Sequence, residues 1–496
     1  MQASRTLSTN GFASVIRNIA LALLCLLANA AHSAPDSLRL EPCHVTNPAG
    51  VLGLDAECGA YTVPEDRAQP AGRAIELSVV RVPALSGKAA KSAFTVIQGG
   101  PGGSSIDLYL GLSFAFEGIR RERDILLVDQ RGTGRSAPLR CPSSDALSLE
   151  GELTPARIRT ETTRCIESLD ADVRFYTTSI AVRDLDAVRG ALGYEQLDLY
   201  GASYGTRVAL HYLRRFPERV RTLTIDGVTP VDWILGPTLA LDAQASLELL
   251  FSRCAEAPPC AERFGDLSAT FDRLRARLEG MDSTVSLRDP YTGTAEEMEF
   301  GSDELAVAVR MLSYQPETRA LLPILIDAAA QGDLAPIAGQ ALMVMKNLEA
   351  TLALGMHNAV VCSEDAPFID APPSAANTYL GDQQLELLSA TCDVWPIGEM
   401  DTDFHDRFTS DVPALVLSGS DDPVTPPTNG NAAVRDLTNA IDLVGEGQGH
   451  GIVMRGCIPR LLDEFVKTAD VTSLDVGCAE RLGPPSIFTS FTGAEP

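Results

Sequence analysis

Gly201-Ala202-Ser203-Tyr204-Gly205 decides the fold, through what stands on either side of it. Upstream, Leu197-Asp198-Leu199-Tyr200 reads as a short strand. Downstream, Thr206 to Phe216 carries Val208, Ala209, Tyr212 and Leu213 at helical spacing and stops at Pro217. A G-x-S-x-G on a strand-to-helix turn is a nucleophile elbow. Its glycines let two backbone segments crowd together, so a serine can be held on a strained turn with its hydroxyl exposed. The helix beginning there aims its first N–H groups at the same spot, where they would stabilise an oxyanion.

Working outward, strands and helices alternate. Glu76 to Val82 alternates as a strand between turn-rich flanks. Phe94-Thr95-Val96-Ile97 is a buried-strand run ending in Gln98-Gly99-Gly100-Pro101-Gly102-Gly103. Asp124 to Val128 leads into Asp129-Gln130-Arg131-Gly132, Ala181 to Leu192 is helical, and Val220 to Ile225 closes on Asp226-Gly227. This predicts an α/β fold, a mostly parallel sheet flanked by helices. From about 231 to 404 the pattern turns helical, as in Leu239 to Phe251, Leu267 to Leu278 and Leu305 to Leu312, and is read as an inserted helical cap. Strands return at Pro413 to Leu417 and Ala440 to Val444, followed by a helix over Pro459 to Ala469. The expected organisation is therefore a leader over 1–34, a first core part over 35–230, the cap over 231–404 and a second core part over 405–496. Thr489 to Pro496 reads as a loose tail.

The leader is read from Arg5 and Arg17, the apolar run Ile19 to Leu27 and the small residues up to Ala34, with no acid before Asp36. That is the layout of a secretory signal peptide cut between Ala30 and Ala34, too short in its apolar part to span a bilayer. The expectation is a soluble protein exported to the periplasm or secreted. The cysteines agree: Cys25 leaves with the leader, and the ten others fall in neighbouring pairs from Cys43 and Cys58 to Cys457 and Cys478. An oxidising compartment permits five local disulfides, with connectivity left open. With no C-x-x-C, no H-E-x-x-H and scattered histidines, no metal is expected. The net charge of −26 repels nucleic acid and anionic membranes, so neither is expected as a partner.

Serine needs a base, and the base needs an orienter. Both appear in the order Ser, acid, His. Ser418-Gly419-Ser420-Asp421-Asp422-Pro423 follows an apolar strand, and His450 sits in Gly447-Gln448-Gly449-His450-Gly451 after the next one. Ser203, Asp422 and His450 are the expected catalytic set. Asp422 is preferred for directly preceding the Pro-Val-Thr-Pro turn. Asp421, expected as a solvated neighbour or loop hydrogen-bonder, and Asp226 are the alternatives. His44, His211, His357 and His405 lack such a loop and are expected to be solvated or packed. Gly99 to Gly103 lacks the Lys-Ser/Thr of a phosphate loop, so no nucleotide or other cofactor is implied. It suits an oxyanion hole formed by the N–H groups of Gly100 and Tyr204. Arg131 is expected to pair internally and shape its loop.

Together GGPGGS, DQRGTGRS, GASYGTR, GSDDPVTPP and GQGHG resemble the exported prolyl iminopeptidase and tripeptidyl aminopeptidase branch of the α/β-hydrolases. The resemblance implies a serine peptidase acting on peptides with free N-termini. Iminopeptidases of this branch usually carry His-Gly-Gly-Pro-Gly where this chain has Gln98-Gly99-Gly100-Pro101-Gly102, which leaves a strict preference for N-terminal proline unsupported. An aminopeptidase must hold a substrate ammonium, which a buried carboxylate does well. Val361-Cys362-Ser363-Glu364-Asp365 resembles the family segment in which acids follow a cysteine, and nominates Glu364 as the substrate-binding acid. A carboxylesterase or amidase on the same scaffold is the alternative, since specificity lives in the cap. A non-enzymatic binding protein fits less well with an intact set of catalytic residue types.

Overall fold

The computed structural model describes residues 38–493 apart from 49, 88–89, 143–153, 281–282, 290–291 and 371–373. The leader expected over 1–34 lies outside the described residues, as do 494–496. From Arg39 onward the chain forms one unit.

Among the described residues eleven strands are formed: β1 (Glu41–Thr46), β2 (Gly53–Pro64), β3 (Ala74–Val82), β4 (Ser92–Ile97), β5 (Ile125–Val128), β6 (Gln196–Ala202), β7 (Val220–Asp226), β8 (Ser283–Arg288), β9 (Ala295–Phe300), β10 (Ala414–Gly419) and β11 (Ala440–Gly445). Nine make one sheet, in the order β1-β2-β3-β5-β4-β6-β7-β10-β11. From β5 to β11 neighbours run parallel, while β1, β2 and β3 pair antiparallel at one edge. Every residue of β4, β5 and β10 is buried, which explains their unbroken apolar runs: helices cover both sheet faces. On one face Phe94, Phe116 and Tyr200 meet Ile458, Leu462 and Phe465 of the helix Ile458–Thr468.

The sequence pattern left β1 and β2 as turn-rich flanks. They form an edge hairpin with mostly exposed or half-buried side chains, held by pairing and by the Cys43–Cys58 disulfide rather than by an apolar run. Between β7 and β10 the chain is helical as expected, with one addition. The hairpin of β8 and β9 buries only alternate residues such as Val285, Leu287 and Phe300, too sparse a pattern to stand out in sequence. This segment, the cap, has its own core around Leu247, Phe271, Leu274, Leu305 and Ile326. The tail is ordered further than expected: Phe488 N–H donates to the Ala320 carbonyl (3.1 Å), and Thr489 is buried.

Five disulfides join Cys43–Cys58, Cys141–Cys165, Cys254–Cys260, Cys362–Cys392 and Cys457–Cys478. Among the described residues no helix is long and apolar enough to cross a membrane.

Because β4, β6, β7, β10 and β11 are parallel, the loops leaving them gather at one end of the sheet. Those loops carry Gly99–Gly103, Ser203, Asp226, Asp421–Asp422 and His450. Ligands of open α/β sheets bind at this carboxyl end.

Candidate active site

Ser203 stands between β6 and the helix Tyr204–Arg215 with φ 56° and ψ −127°, a backbone state disfavoured for a residue with a side chain. Neighbouring bonds hold it there. Its N–H donates to the Asp226 carbonyl (2.9 Å), and its carbonyl accepts the Thr206 N–H (2.8 Å) and hydroxyl (2.7 Å). A Cβ on Gly205 would collide with the Ile97 carbonyl, and one on Gly99 would lie 2.6 Å from Ser203 Cβ. Gly205 is thus required by the close approach of β4, and Gly201 by the Gly205 carbonyl, with which a Cβ on Gly201 would collide.

His450 Nδ1 lies 2.8 Å from Asp422 Oδ2. The other Asp422 oxygen accepts the N–H groups of Val424 (2.8 Å) and Thr425 (2.9 Å), so the carboxylate cannot rotate away. Thr425 Oγ1 donates to Asp422 Oδ2 (2.8 Å). Burial alone would lower the His450 pKa; the Asp422 charge and hydrogen bond, with Asp226 behind, outweigh it and raise it above the ordinary histidine value. Ser203 and His450 line one cavity, and no hydrogen bond joins their side chains, a looseness common before substrate binds.

Both alternative acids are engaged elsewhere. Asp226 accepts the N–H groups of Ile452 (2.9 Å) and Val453 (2.9 Å) and the Tyr200 hydroxyl (2.9 Å), shaping the loop after His450. Asp421, expected to be solvated or a loop hydrogen-bonder, is 1% exposed. Arg253 and Arg319, both from the cap, pair with it. The adjacent carboxylates therefore face opposite ways, one to the histidine and one to the cap.

Gly100 and Tyr204 both line the cavity. Gly99 N–H is taken by Gln98 Oε1 (2.7 Å), whereas the N–H groups of Gly100 and Tyr204 have no acceptor among the described residues. Arg131 is buried and grips Asp184 through Nε (2.6 Å) and Nη2 (2.9 Å), with Nη1 on the Glu65 and Phe175 carbonyls. It shapes its loop as expected.

Glu364 does not reach the cavity, which corrects the expectation for it. It is 0% exposed, and its carboxylate accepts the Thr178 N–H (2.6 Å) and hydroxyl (2.9 Å). Burial, opposed by Arg207 and the Thr178 bonds, pushes its pKa up to about 7. Through Thr178 Oγ1, which also meets the Tyr204 hydroxyl, Glu364 ties the cap to the elbow. Its neighbour Asp365 does line the cavity but is held by both Nη atoms of Arg207 (3.0 and 2.8 Å). Of the remaining histidines, His44 is exposed, His211 is buried, and the ring nitrogens of His405 face the Val231 and Glu364 carbonyls (3.3 and 2.8 Å), to which a ring N–H donates. His357 lies in the cavity wall, with burial lowering its pKa.

The cavity measures about 1230 Å³ and is roofed by cap residues including Leu235, Leu348, Leu352, Leu385 and Leu388. Sequence reasoning missed three cap residues with polar work here: Arg310, Tyr314 and Asp382. No local pattern marks them. Among the described residues no group of three or more His, Cys, Asp or Glu could hold a metal ion.

Residues 93–258 match the family described as alpha/beta hydrolase fold, and residues 377–478 match the family described as TAP-like protein. The chain is 27% identical over 469 residues to serine protease Hip1 of Mycobacterium tuberculosis, covering 86% of this chain and 87% of that protein. It is 24% identical over 477 residues to tripeptidyl aminopeptidase of Streptomyces coelicolor, covering 86% and 84%. It is 26% identical over 478 residues to carboxylesterase B of Mycobacterium tuberculosis, covering 86% of each. The chain has the α/β-hydrolase fold, is similar to TAP-like proteins over its C-terminal segment, and is a serine hydrolase.

Proposed function

We propose that this serine hydrolase is a peptidase of the periplasm or cell exterior that releases residues or short peptides from free peptide N-termini. The observation that carries the reading is the cavity of about 1230 Å³ beside Ser203 and His450, lined in large part by cap residues and large enough for an oligopeptide. Relatives matched over 86% of the chain include a serine protease and a tripeptidyl aminopeptidase. Five disulfides and the N-terminal leader pattern support export.

In this reading Ser203 Oγ attacks the scissile carbonyl carbon while His450 Nε2 takes the hydroxyl proton. The N–H groups of Gly100 and Tyr204 donate to the oxyanion of the tetrahedral intermediate. The C–N bond then breaks, and His450 returns its proton to the departing amine. Water, deprotonated by His450, attacks the acyl-enzyme carbonyl; the ester bond to Ser203 breaks, His450 returns the proton to Oγ, and the N-terminal fragment leaves as its acid, which ionises to the carboxylate. Asp422 keeps Nδ1 protonated and stabilises the imidazolium.

The ammonium anchor falls to Asp382. The cavity-wall carboxylates are Asp107, Asp226, Asp365 and Asp382. Asp107 pairs with Arg135 (3.3 Å), and Asp226 and Asp365 are engaged as described. Asp382 Oδ1 accepts the Ala375 N–H (2.7 Å), and Oδ2 has no partner among the described residues.

The carboxylesterase B relative, aligned over as much of the chain, favours a second reading as an esterase. Release of a chromogenic amine from a free-amino peptide anilide, set against its N-blocked twin and a simple ester, separates the two. Preference for the free amine is expected. Equal rates on the twins, or cleavage of the ester alone, would overturn the exopeptidase reading.

A further inference from the structure

Three arginines line the cavity, and two are neutralised by the protein itself. Arg207 pairs with Asp365, and Arg455 with Glu317. Arg310, on the cap helix Ser302–Leu312, has no carboxylate partner among the described residues, in a chain whose acids outnumber its bases 66 to 40. Its Nη1 donates to Gln384 Oε1 (2.8 Å), and its Nε is buried without an acceptor. Its Nη2 has no partner among the described residues. The charge acts inside the site: Arg310 disfavours protonation of both His357 and His450.

A guanidinium always carries its charge and presents a planar fork of donors suited to a carboxylate. Gln384 fixes one arm of that fork from the helix Gln383–Cys392, so the group is oriented as well as charged. A partly desolvated cation left unmatched is costly, and a ligand carboxylate would offset that cost.

We infer that Arg310 is a subsite for a carboxylate on the substrate. In peptides this group is either an Asp or Glu side chain or the free C-terminal carboxylate of a short oligopeptide. The inference rests on the peptidase reading for the substrate being a peptide, and on geometry alone for its being an anion.

The test uses the full chain and matched substrate pairs: free-amino peptide anilides with Glu against Gln at each position, and short peptides with a C-terminal acid against the amide. A third pair, the nitrophenyl monoester of succinate against nitrophenyl butyrate, needs no peptidase activity. A charge-assisted hydrogen bond predicts that at least one carboxylate member exceeds its neutral twin in kcat/KM by about 10- to 100-fold. Arg310→Gln should bring that ratio close to one, and Arg310→Lys should keep part of it. Because each ratio is taken within one variant, a general loss of activity or folding does not mimic the result. The arm showing the preference tells a side-chain carboxylate from a terminal one. A wild-type ratio near one in all three arms, or a preference that survives Arg310→Gln, would overturn the inference. Failure of the peptide pairs with a preference kept on the ester pair would instead overturn the peptidase reading.

Discussion

The backbone N–H of His450 donates to the carbonyl of Tyr314 at 2.7 Å, so the histidine loop hangs from the cap. The contact is reinforced twice: Gln315 Nε2 donates to the His450 carbonyl (3.2 Å), and the Tyr314 ring meets the imidazole edge-on with centroids 5.3 Å apart. Arg319, five residues after Tyr314, clasps Asp421 beside the acid loop. One short stretch of cap thus fixes the loops of both His450 and Asp422.

Gly449 is the point where this arrangement is tightest, because a Cβ there would collide with the Tyr314 carbonyl. Gly449→Ala should push the histidine loop off the cap. Overpacking of this kind costs about 1–3 kcal/mol, and the displaced imidazole should lower kcat more than it raises KM. Thermal melts and steady-state kinetics check both; wild-type kcat in the variant would show that the contact does not position His450.

Ser203→Ala should abolish labelling by a fluorophosphonate probe as well as turnover, because among the described serines only Ser203 stands on a positive-φ turn, while Ser104, also in the cavity wall, donates its hydroxyl to Asp129 (2.7 Å). Labelling that persists in the variant, followed by peptide mapping, would move the nucleophile elsewhere.

Asp422→Asn and Asp421→Asn should fail differently. The first removes the charge on His450 Nδ1 and should lower kcat by roughly 10⁴-fold with little change in melting temperature. The second leaves Arg253 and Arg319 facing a neutral group in a buried setting. It should destabilise the fold by up to about 3–5 kcal/mol, with a smaller effect on chemistry. Melting curves beside kcat values decide; a dead but fully stable Asp421→Asn would reverse the assignment.

The pH profile follows from the raised His450 pKa. The base form is the neutral imidazole, so kcat/KM should rise with pH and reach half its plateau above the ordinary histidine value of 6.5. Asp422→Asn removes the main raising influence and should shift that limb to lower pH. A wild-type midpoint below the ordinary value would contradict the Asp422–His450 geometry.

Glu364 titrates with the opposite consequence for stability. Its folded pKa of about 7 lies above the ordinary glutamate value of 4.5, so between these values the folded state holds a proton that the unfolded chain has lost. Stability from this group is full below about pH 4.5 and is lost as pH rises through about 7. Glu364→Gln can keep a bond to the Thr178 N–H without the charge. Its melting temperature, relative to wild type, should therefore increase between pH 5 and pH 8. A constant difference across that range would mean the carboxyl does not titrate there.

What the sequence disclosed was local. The elbow and the loops at Gly100 and His450 announce themselves because each joins a buried strand to glycines that only close approach explains. Asp422 was separable from Asp421 by its turn alone, but the burial of Asp421 was not, since Arg253 and Arg319 arrive from far along the chain. The same distance hid Arg310, Tyr314 and Asp382. Glu364 was placed near the right elements and in the wrong role, because one residue along a helix separates a side chain turned to the core from Asp365 at the cavity wall. The edge hairpin of β1 and β2 escaped because few of its side chains are buried.

The disulfide pattern bears on biogenesis. The described cysteines are bonded in consecutive pairs along the chain, with spacings of 15, 24, 6, 30 and 21 residues. In the exported chain proposed above, oxidation in order of emergence therefore yields this connectivity directly. A nascent chain would need no thiol reshuffling, and an oxidant alone, without an isomerase, should suffice to mature it.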